Sequence, residues 1–265
     1  MDKTVERAIA FIWERYSEPL SLTEIAESAL LSRFYFARLF RQATGITPGR
    51  FLAAVRIYQA KHMLLSSSMT ITDISFAVGY NSLGSFTNYF TDSVGFSPGR
   101  FRRAALGGGI GLPRPRQTSR SAYGAVAGTV SLPEGHGNAR VYVGAFATAI
   151  VQHPSAAAVV VDVPGGRPCC YHLPDVPEGT WFIHAVGVAD SAIPEAWSHR
   201  TELGGGHDPV VVAADTVTSA AVRLRSSRPT DPPVLLALPD LEPRRPGQLQ
   251  AITACAAVSP RPALR

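Results

Sequence analysis

A nine-residue phrase recurs fifty positions along the chain, and it limits what the first hundred residues can become. Ala43-Thr44-Gly45-Ile46-Thr47-Pro48-Gly49-Arg50-Phe51 returns as Ser93-Val94-Gly95-Phe96-Ser97-Pro98-Gly99-Arg100-Phe101. The match runs backwards from there. Phe36 and Phe40 pair with Phe86 and Phe90 at the same offset, and Ile25 pairs with Ile74 at an offset of 49. Each copy reads as a short helix, a tight turn, a second helix and then Gly-x-[Ser/Thr]-Pro-Gly-Arg-Phe. Two copies are too few for a solenoid, which needs at least three units to bury its faces. A duplicated helix-turn-helix unit fits.

Local signals place the helices. Val5, Ile9, Ile12 and Trp13 share one face of a first helix, capped by Asp2 and running to about Tyr16. Ser21 and Glu24 have capping-box spacing. Ser32 caps a helix that turns Phe36, Leu39 and Phe40 inward and stops near Gly45. Thr47-Pro48 opens a long helix to about Leu65, with Pro48 at its first position. Thr70 and Asp73 open a short helix, Ser82 opens the next, which carries Phe86, Tyr89 and Phe90, and Ser97-Pro98 opens a last one. The units span about 21–45 and 70–95, within an all-α domain at 1–105.

The texture changes near residue 106. Residues 106–122 are rich in Gly, Pro, Ser and Arg and read as a flexible linker. Seven short strands follow, at about 125–132, 139–148, 157–163, 169–173, 180–188, 210–213 and 220–225. Breakers such as Pro133-Glu134-Gly135, Pro164-Gly165-Gly166 and Gly204-Gly205-Gly206 separate them. The expected fold of 123–226 is an all-β sandwich. Residues 227–265 are rich in Pro, Arg and Ala and are expected to be a largely disordered tail, with 234–238 a candidate final strand. The expected fold class is therefore two domains, an N-terminal tandem helix-turn-helix and a C-terminal β-sandwich, with a Pro/Arg-rich tail.

Charge divides along the same line. Of the 25 Lys+Arg and 20 Asp+Glu, residues 1–120 carry a net +7 and residues 121–265 a net −2. A basic half joined to a slightly acidic one suits a polyanion-binding module with a separate partner domain. Three cysteines cannot frame a disulfide scaffold. No apolar run is long enough for a transmembrane helix, and the first residues lack a signal-peptide layout. The expected location is cytoplasmic and nucleoid-associated, with no membrane partner.

A helix-turn-helix acts by placing its second helix in the major groove. In the first unit the residues read as outward are Arg33, Tyr35, Ala37, Arg38 and Arg41. Arg33 and Arg38 lie where base edges are reached, and Arg to guanine is the commonest specific pairing. Arg41 sits later and suits a phosphate. In the second unit Ser82 caps the helix, and Leu83, Gly84, Ser85, Thr87 and Asn88 face outward with no cation among them. Asn88 suits adenine and Leu83 a thymine methyl.

The run Ala77-Val78-Gly79-Tyr80-Asn81-Ser82-Leu83-Gly84-Ser85-Phe86-Thr87-Asn88-Tyr89-Phe90, followed by Gly95-Phe96-Ser97-Pro98-Gly99-Arg100-Phe101-Arg102, resembles the signature of the AraC/XylS regulators. Leu22–Ala26, Arg38-Leu39-Phe40, Gly45–Pro48, and Arg56 with Ala60 and Met63–Leu65 resemble the same family, over about residues 4–104. The resemblance implies a sequence-specific transcription regulator. Its two recognition helices, joined by the long helix, would read successive major-groove segments of double-stranded promoter or operator DNA, with RNA polymerase as a further partner. Leu30 stands where the family's first turn carries glycine, so a positive φ there would be strained. The family usually places this module after a sensor domain; here it precedes the β half.

Residues 121–265 show no nucleophile elbow, phosphate loop or metal-ligand spacing. No catalytic residue, metal or cofactor is expected, and the chain is not read as an enzyme. His172, His184, His199 and His207 are read as structural, and Tyr171, Trp181, Phe182 and Trp197 as core. The phrase from Leu173 to Ala185 resembles the transthyretin-like sandwich of carboxypeptidase regulatory-like domains, which implies a binding or interaction module rather than an enzyme; the β domain is expected to sense a small-molecule effector or to serve association. The alternatives are a purely structural or dimerising β domain, and an enzyme fused to a DNA reader. Oligomeric state is not encoded in any feature of the sequence.

Overall fold

The computed structural model describes residues 3–103, 113, 115, 122–191 and 201–238. Seven helices come first: α1 Lys3–Arg15, α2 Leu22–Ser28, α3 Arg33–Thr44, α4 Pro48–Ser66, α5 Ile71–Ala77, α6 Leu83–Val94 and α7 Pro98–Arg103. The caps fall where the sequence puts them. Ser21 Oγ accepts the Glu24 amide while Glu24 Oε2 accepts the Ser21 amide at 2.8 Å, so two orphan donors are satisfied at once. Thr70 and Ser82 cap α5 and α6 with the side-chain half of that pattern alone, accepting the Asp73 and Ser85 amides. Ser32 and Thr47 hold the cap positions of α3 and α4 without a side-chain bond. Gly45 and Gly95 close α3 and α6 in the left-handed conformation, at φ 76° and 90°.

Phe36, Phe40, Phe86 and Phe90 are fully buried with Phe51, Ile57 and Ala60 of α4. The half-buried Arg56 guanidinium ties α4 to the chain before α2, donating to the Tyr16 and Glu18 carbonyls at 2.7 Å each. No helix among the described residues is long and apolar enough to cross a membrane.

Among the described residues of the second half there are nine strands: β1 Tyr123–Ser131, β2 His136–Phe146, β3 Ala157–Val163, β4 Cys169–Pro177, β5 Gly179–Ser191, β6 Thr201–Val212, β7 Val217–Ser219, β8 Val222–Arg223 and β9 Arg225–Ser226. One sheet runs β4-β1-β7, with β8 also on β1; the other runs β3-β2-β5-β6-β9. The inward rows of both sheets, including Val126, Val130 and Leu173 from one and Val141, Val143, Ile183 and Ala185 from the other, meet in one buried core. Tyr171 joins it and donates its hydroxyl to the Ala220 carbonyl.

Three expectations are corrected here. Gly204-Gly205-Gly206 is not a breaker but the middle of β6, paired with Val186, Ala185 and His184 of β5. Bare backbone is needed at that point, because a Cβ on Gly206 would lie 2.6 Å from the His184 ring. Phe182 is not in the shared core. Side chains alternate along a strand, and Phe182 stacks on His184 with planes 4° apart, on the opposite side from Ile183. Residues 227–238 are ordered, although no strand forms at 234–238. Arg225 grips Asp231 through two bonds of 2.6 and 2.7 Å, and the Arg228 amide adds a third at 2.7 Å. Against the upward push of burial, these bonds hold the Asp231 carboxyl below its usual range. The turn launches a strap, residues 234–238, across the helical half.

The strap divides its side chains. Leu235 and Ala237 enter the helical core, while Leu236 joins Tyr142, Phe146 and Val151 on the outer face of the larger sheet. Most of residues 106–122, the chain beyond 238, Trp197, His199 and the Asp2 cap lie outside the described residues.

Candidate nucleic-acid interface

The two units correspond along both helices, with Asn81 one extra residue in the second turn. In each, the second helix buries two phenylalanines one turn apart and leaves the opposite side free. The turns before them share hydrogen bonds. Leu31 N donates to Ala26 O at 3.1 Å, and Tyr80 N to Ser75 O at 3.0 Å. Leu30 has φ 58° and Gly79 has φ 89°, so the position that the sequence marks as strained is left-handed in both units.

On α3, Arg33, Tyr35, Arg38 and Arg41 are exposed. The Arg33 guanidinium lies 4.6 Å from the centre of the Phe34 ring, and that of Arg38 5.5 Å from the Tyr35 ring. Stacking of this kind restrains long side chains before any ligand arrives. Ala37 is half-buried at the rim rather than fully outward. Phe34 is missed by the sequence reading, yet it is 76% exposed. Its signal is its phase: it precedes Phe36 by two positions and so points away from the core stripe.

On α6, Leu83, Gly84, Ser85 and Asn88 are exposed, and Thr87, the counterpart of Ala37, is half-buried. Ser82 serves the helix itself: its hydroxyl accepts the Ser85 amide at 3.2 Å and lies 2.9 Å from the Ser85 hydroxyl. The outward side of α6 carries no cation. The cations after it are divided. Arg102 donates to the Leu64 and Met69 carbonyls at 3.1 and 2.8 Å and closes the end of α4. Arg100 is exposed over Phe96. Arg114, Arg116 and Arg120 lie outside the described residues.

Among its described residues the β half offers no comparable cluster. Among the described residues no group of His, Cys, Asp and Glu is placed to hold a metal ion. Cys169 carries a free thiol that burial pushes up in pKa. Burial lowers His184 to about 4, so it is neutral at pH 7. One cleft, of about 680 Å3, opens at the seam between the halves, lined by Arg50, Tyr89, Asp92, Gln152, His153 and Pro154 among others.

Residues 25–104 match a family model described as a helix-turn-helix domain. An uncharacterised HTH-type transcriptional regulator of Bacillus subtilis is 35% identical over 95 residues, 36% of this chain and 39% of that protein. The HTH-type transcriptional activator RhaS of Escherichia fergusonii is 31% identical over 102 residues, 38% of this chain and 37% of RhaS. The chain thus spans less than two fifths of these relatives' length. Among solved structures, a transcriptional regulator of Chromobacterium violaceum described as having an AraC-type DNA-binding domain is 26% identical. It covers 40% of this chain and 96% of its own, with a TM-score of 0.39. The DNA-binding domain of AdpA in complex with a target DNA is 28% identical over 38% of this chain and 90% of its own, with a TM-score of 0.37.

Proposed function

We propose, from the premise that residues 25–104 are a helix-turn-helix domain of the AraC type, that the chain is a sequence-specific regulator of transcription acting on promoter or operator DNA in the cytoplasm. One observation carries this reading. Two copies of one backbone unit each bury a phenylalanine pair and turn a polar helix face to solvent, with Arg33 and Arg38 exposed on the first. Arg33 and Arg38 would read base edges on one segment, and Ser85, Asn88 and Leu83 would read a second, about 10 bp away. Arg41 and Arg100 would meet phosphates. Phe34, beside Arg33, would add apolar contact at the groove wall. The test is selection from a pool of randomised duplexes by the full chain. A two-segment consensus about one helical turn long is expected; enrichment no better than from a fixed-sequence control pool would sink the reading.

The β half, read as a sandwich, is proposed to carry regulation rather than chemistry. The supporting feature is the cleft at the seam, whose size lies in the range of small-molecule sites, roughly 300–1,000 Å3. An effector seated there would touch α4, α6 and the β half together. Melting-temperature screening against metabolites tests it, because a ligand that binds only the folded state raises the midpoint. A metabolite whose shift disappears in Arg50→Ala supports the site; shifts that survive that change place the ligand elsewhere.

A further inference from the structure

The two recognition helices end on equivalent glycine caps, and one loop of the β half reaches both. The loop comprises residues 147–156, between β2 and β3. A Cβ on Gly45 would lie 2.9 Å from Ala149 Cβ, and one on Gly95 would lie 3.3 Å from His153 Cγ. At α6 the contact is hydrogen-bonded. The His153 amide donates to the Ser93 carbonyl at 2.8 Å, and the Ala237 amide of the strap donates to the Val94 carbonyl at 3.1 Å. These carbonyls belong to the last turn of α6, where a helix has no internal donors left to offer. At α3 the contact is apolar. Ala149 packs against the helical core, and Ile150 is buried within it.

Loop and strap are one body. The Leu235 and Leu236 amides both donate to the Val151 carbonyl, at 2.9 and 3.1 Å. The strap is also tied to the helix between the two units: Lys61 Nζ on α4 donates to the Val234 and Leu236 carbonyls at 3.1 Å each. The β half therefore holds three points of the helical half: the end of α3, the middle of α4 and the end of α6.

Without that hold the geometry would rest on α4 and on the turn at Gly79, which packs against Ser17. Helix α3 packs on α1, α2 and α4, whereas α6 packs on α5 and α7. A small bend or roll in one joining helix would swing one reader relative to the other. The tolerance is narrow, because one base pair of misplacement is about 3.4 Å of rise and about a tenth of a turn.

We infer that residues 147–156 and the strap form a brace that fixes the separation and relative rotation of α3 and α6, making Ala149, Ile150, Leu235 and Ala237 determinants of which spacing between two DNA segments is accepted. The inference rests on the DNA-reading function proposed above. In it, the β half contributes to sequence specificity without touching a base.

The experiment uses the full chain and the duplex that the wild type enriches most. That duplex is rebuilt with one base pair added or removed between its segments. Wild-type affinity is expected to fall about 30-fold on either respaced duplex, in the range of a single base-pair error. Ile150→Gly with Leu235→Ala withdraws one side chain from each arm and leaves the outward faces of α3 and α6 untouched. This variant is expected to bind the parent duplex within about five-fold of wild type and to weaken no more than about three-fold on respacing. Ala149→Leu removes nothing from the core and wedges the loop from the α3 cap alone; its preferred spacing should move. Circular dichroism and melting curves establish that both variants are folded. Folded variants with wild-type spacing discrimination overturn the brace. An equal loss on every duplex, random sequences included, overturns it too, since specificity would then not be what the brace controls. A wild type that enriches no two-segment site sinks the DNA-reading function itself, an outcome visible before any variant is made.

Discussion

The two helix-turn-helix units share a backbone and differ at the residue on which their turns close. Leu30 and Gly79 both hold a positive φ, and two hydrogen bonds around them correspond: the Leu30 and Gly79 amides donate to the Glu27 and Phe76 carbonyls, and the Leu31 and Tyr80 amides to the Ala26 and Ser75 carbonyls. What differs is the neighbour. Leu30 is 78% exposed, so its side chain has room and the only penalty is conformational strain. Gly79 faces the chain before α2 and the joining helix: a Cβ there would lie 2.7 Å from the Ser17 carbonyl oxygen and 3.2 Å from the Arg56 guanidinium carbon. The fold dictates the left-handed turn in both places, but only contact with a second surface makes glycine obligatory. The outward faces divide in a similar way. Helix α3 carries cations, and α6 carries hydroxyls and an amide.

Several substitutions would break or sharpen that comparison. The largest effect is expected from Gly79→Leu, which gives the second turn the residue of the first. Strain of about 1–2 kcal/mol adds to a steric clash of about 1–3 kcal/mol, so the urea midpoint should fall steeply. A loss under about 1 kcal/mol would show that Ser17 yields and that the two turns are equivalent after all.

Next comes Arg38→Ala, expected to cost about 1–3 kcal/mol on the enriched duplex and to relax base preference at one position. The same loss on random duplexes would make Arg38 a phosphate contact. Salt titration separates the helices further. Removing Arg33, Arg38 and Arg41 together should flatten the dependence of log affinity on log salt by about one unit for each phosphate left without its cation. Asn88→Ala should leave that slope unchanged, and a change would mean that α6 also works by charge.

A smaller effect concerns the helix that joins the units. Burial pushes the Lys61 ammonium down to about 8, with Glu202 pulling the other way. An unfolded lysine titrates near 10.4. Between about pH 8 and pH 10 the unfolded state therefore holds the extra proton, and stability rises with pH. Above that, Tyr142 and Tyr171, pushed up to about 12 by burial, reverse the trend, because the unfolded tyrosines ionise first. The rise should vanish in Lys61→Met; if denaturation at pH 8 and pH 10 still shows it there, another amine is responsible.

The smallest effect is expected from Leu30→Gly. Relief of about 1–2 kcal/mol of strain is offset by about 0.4–1 kcal/mol of added chain entropy in the unfolded state. A rise in melting temperature of a few degrees would place the strain where the turn geometry puts it, and a fall would show that the exposed leucine makes a stabilising contact.

The parts of this fold that are legible in sequence are those whose partners are near in sequence. Ser21 meets Glu24 three residues on, Pro48 opens α4 in its own first turn, and Phe36 with Phe40 marks a stripe on one helix. The strap shows the opposite case. Val234 and Leu236 look like tail by composition, because what orders them is Lys61, 173 and 175 residues away. Gly204–Gly206 reads as a break because nothing local reveals the Arg223 carbonyl and the His184 imidazole that leave no room for a Cβ at Gly205 and Gly206. In the candidate interface, the charged residues stand out by type. Phe34 does not, because a phenylalanine is ordinarily core material and only its helical phase places it outside.

The strap also imposes an order of events on a new chain. The helical half is complete in sequence at Arg103, yet its core includes Leu235 and Ala237. A ribosome adding roughly 5–20 residues per second needs on the order of ten seconds to deliver them. During that interval the positions of Leu235 and Ala237 stay unfilled, as does that of Ile150 until the β half reaches it, and the lysine meant for the strap faces water. The plug arrives only after the strands of the β half have been made, so the helical domain is completed by residues that follow an entire further domain.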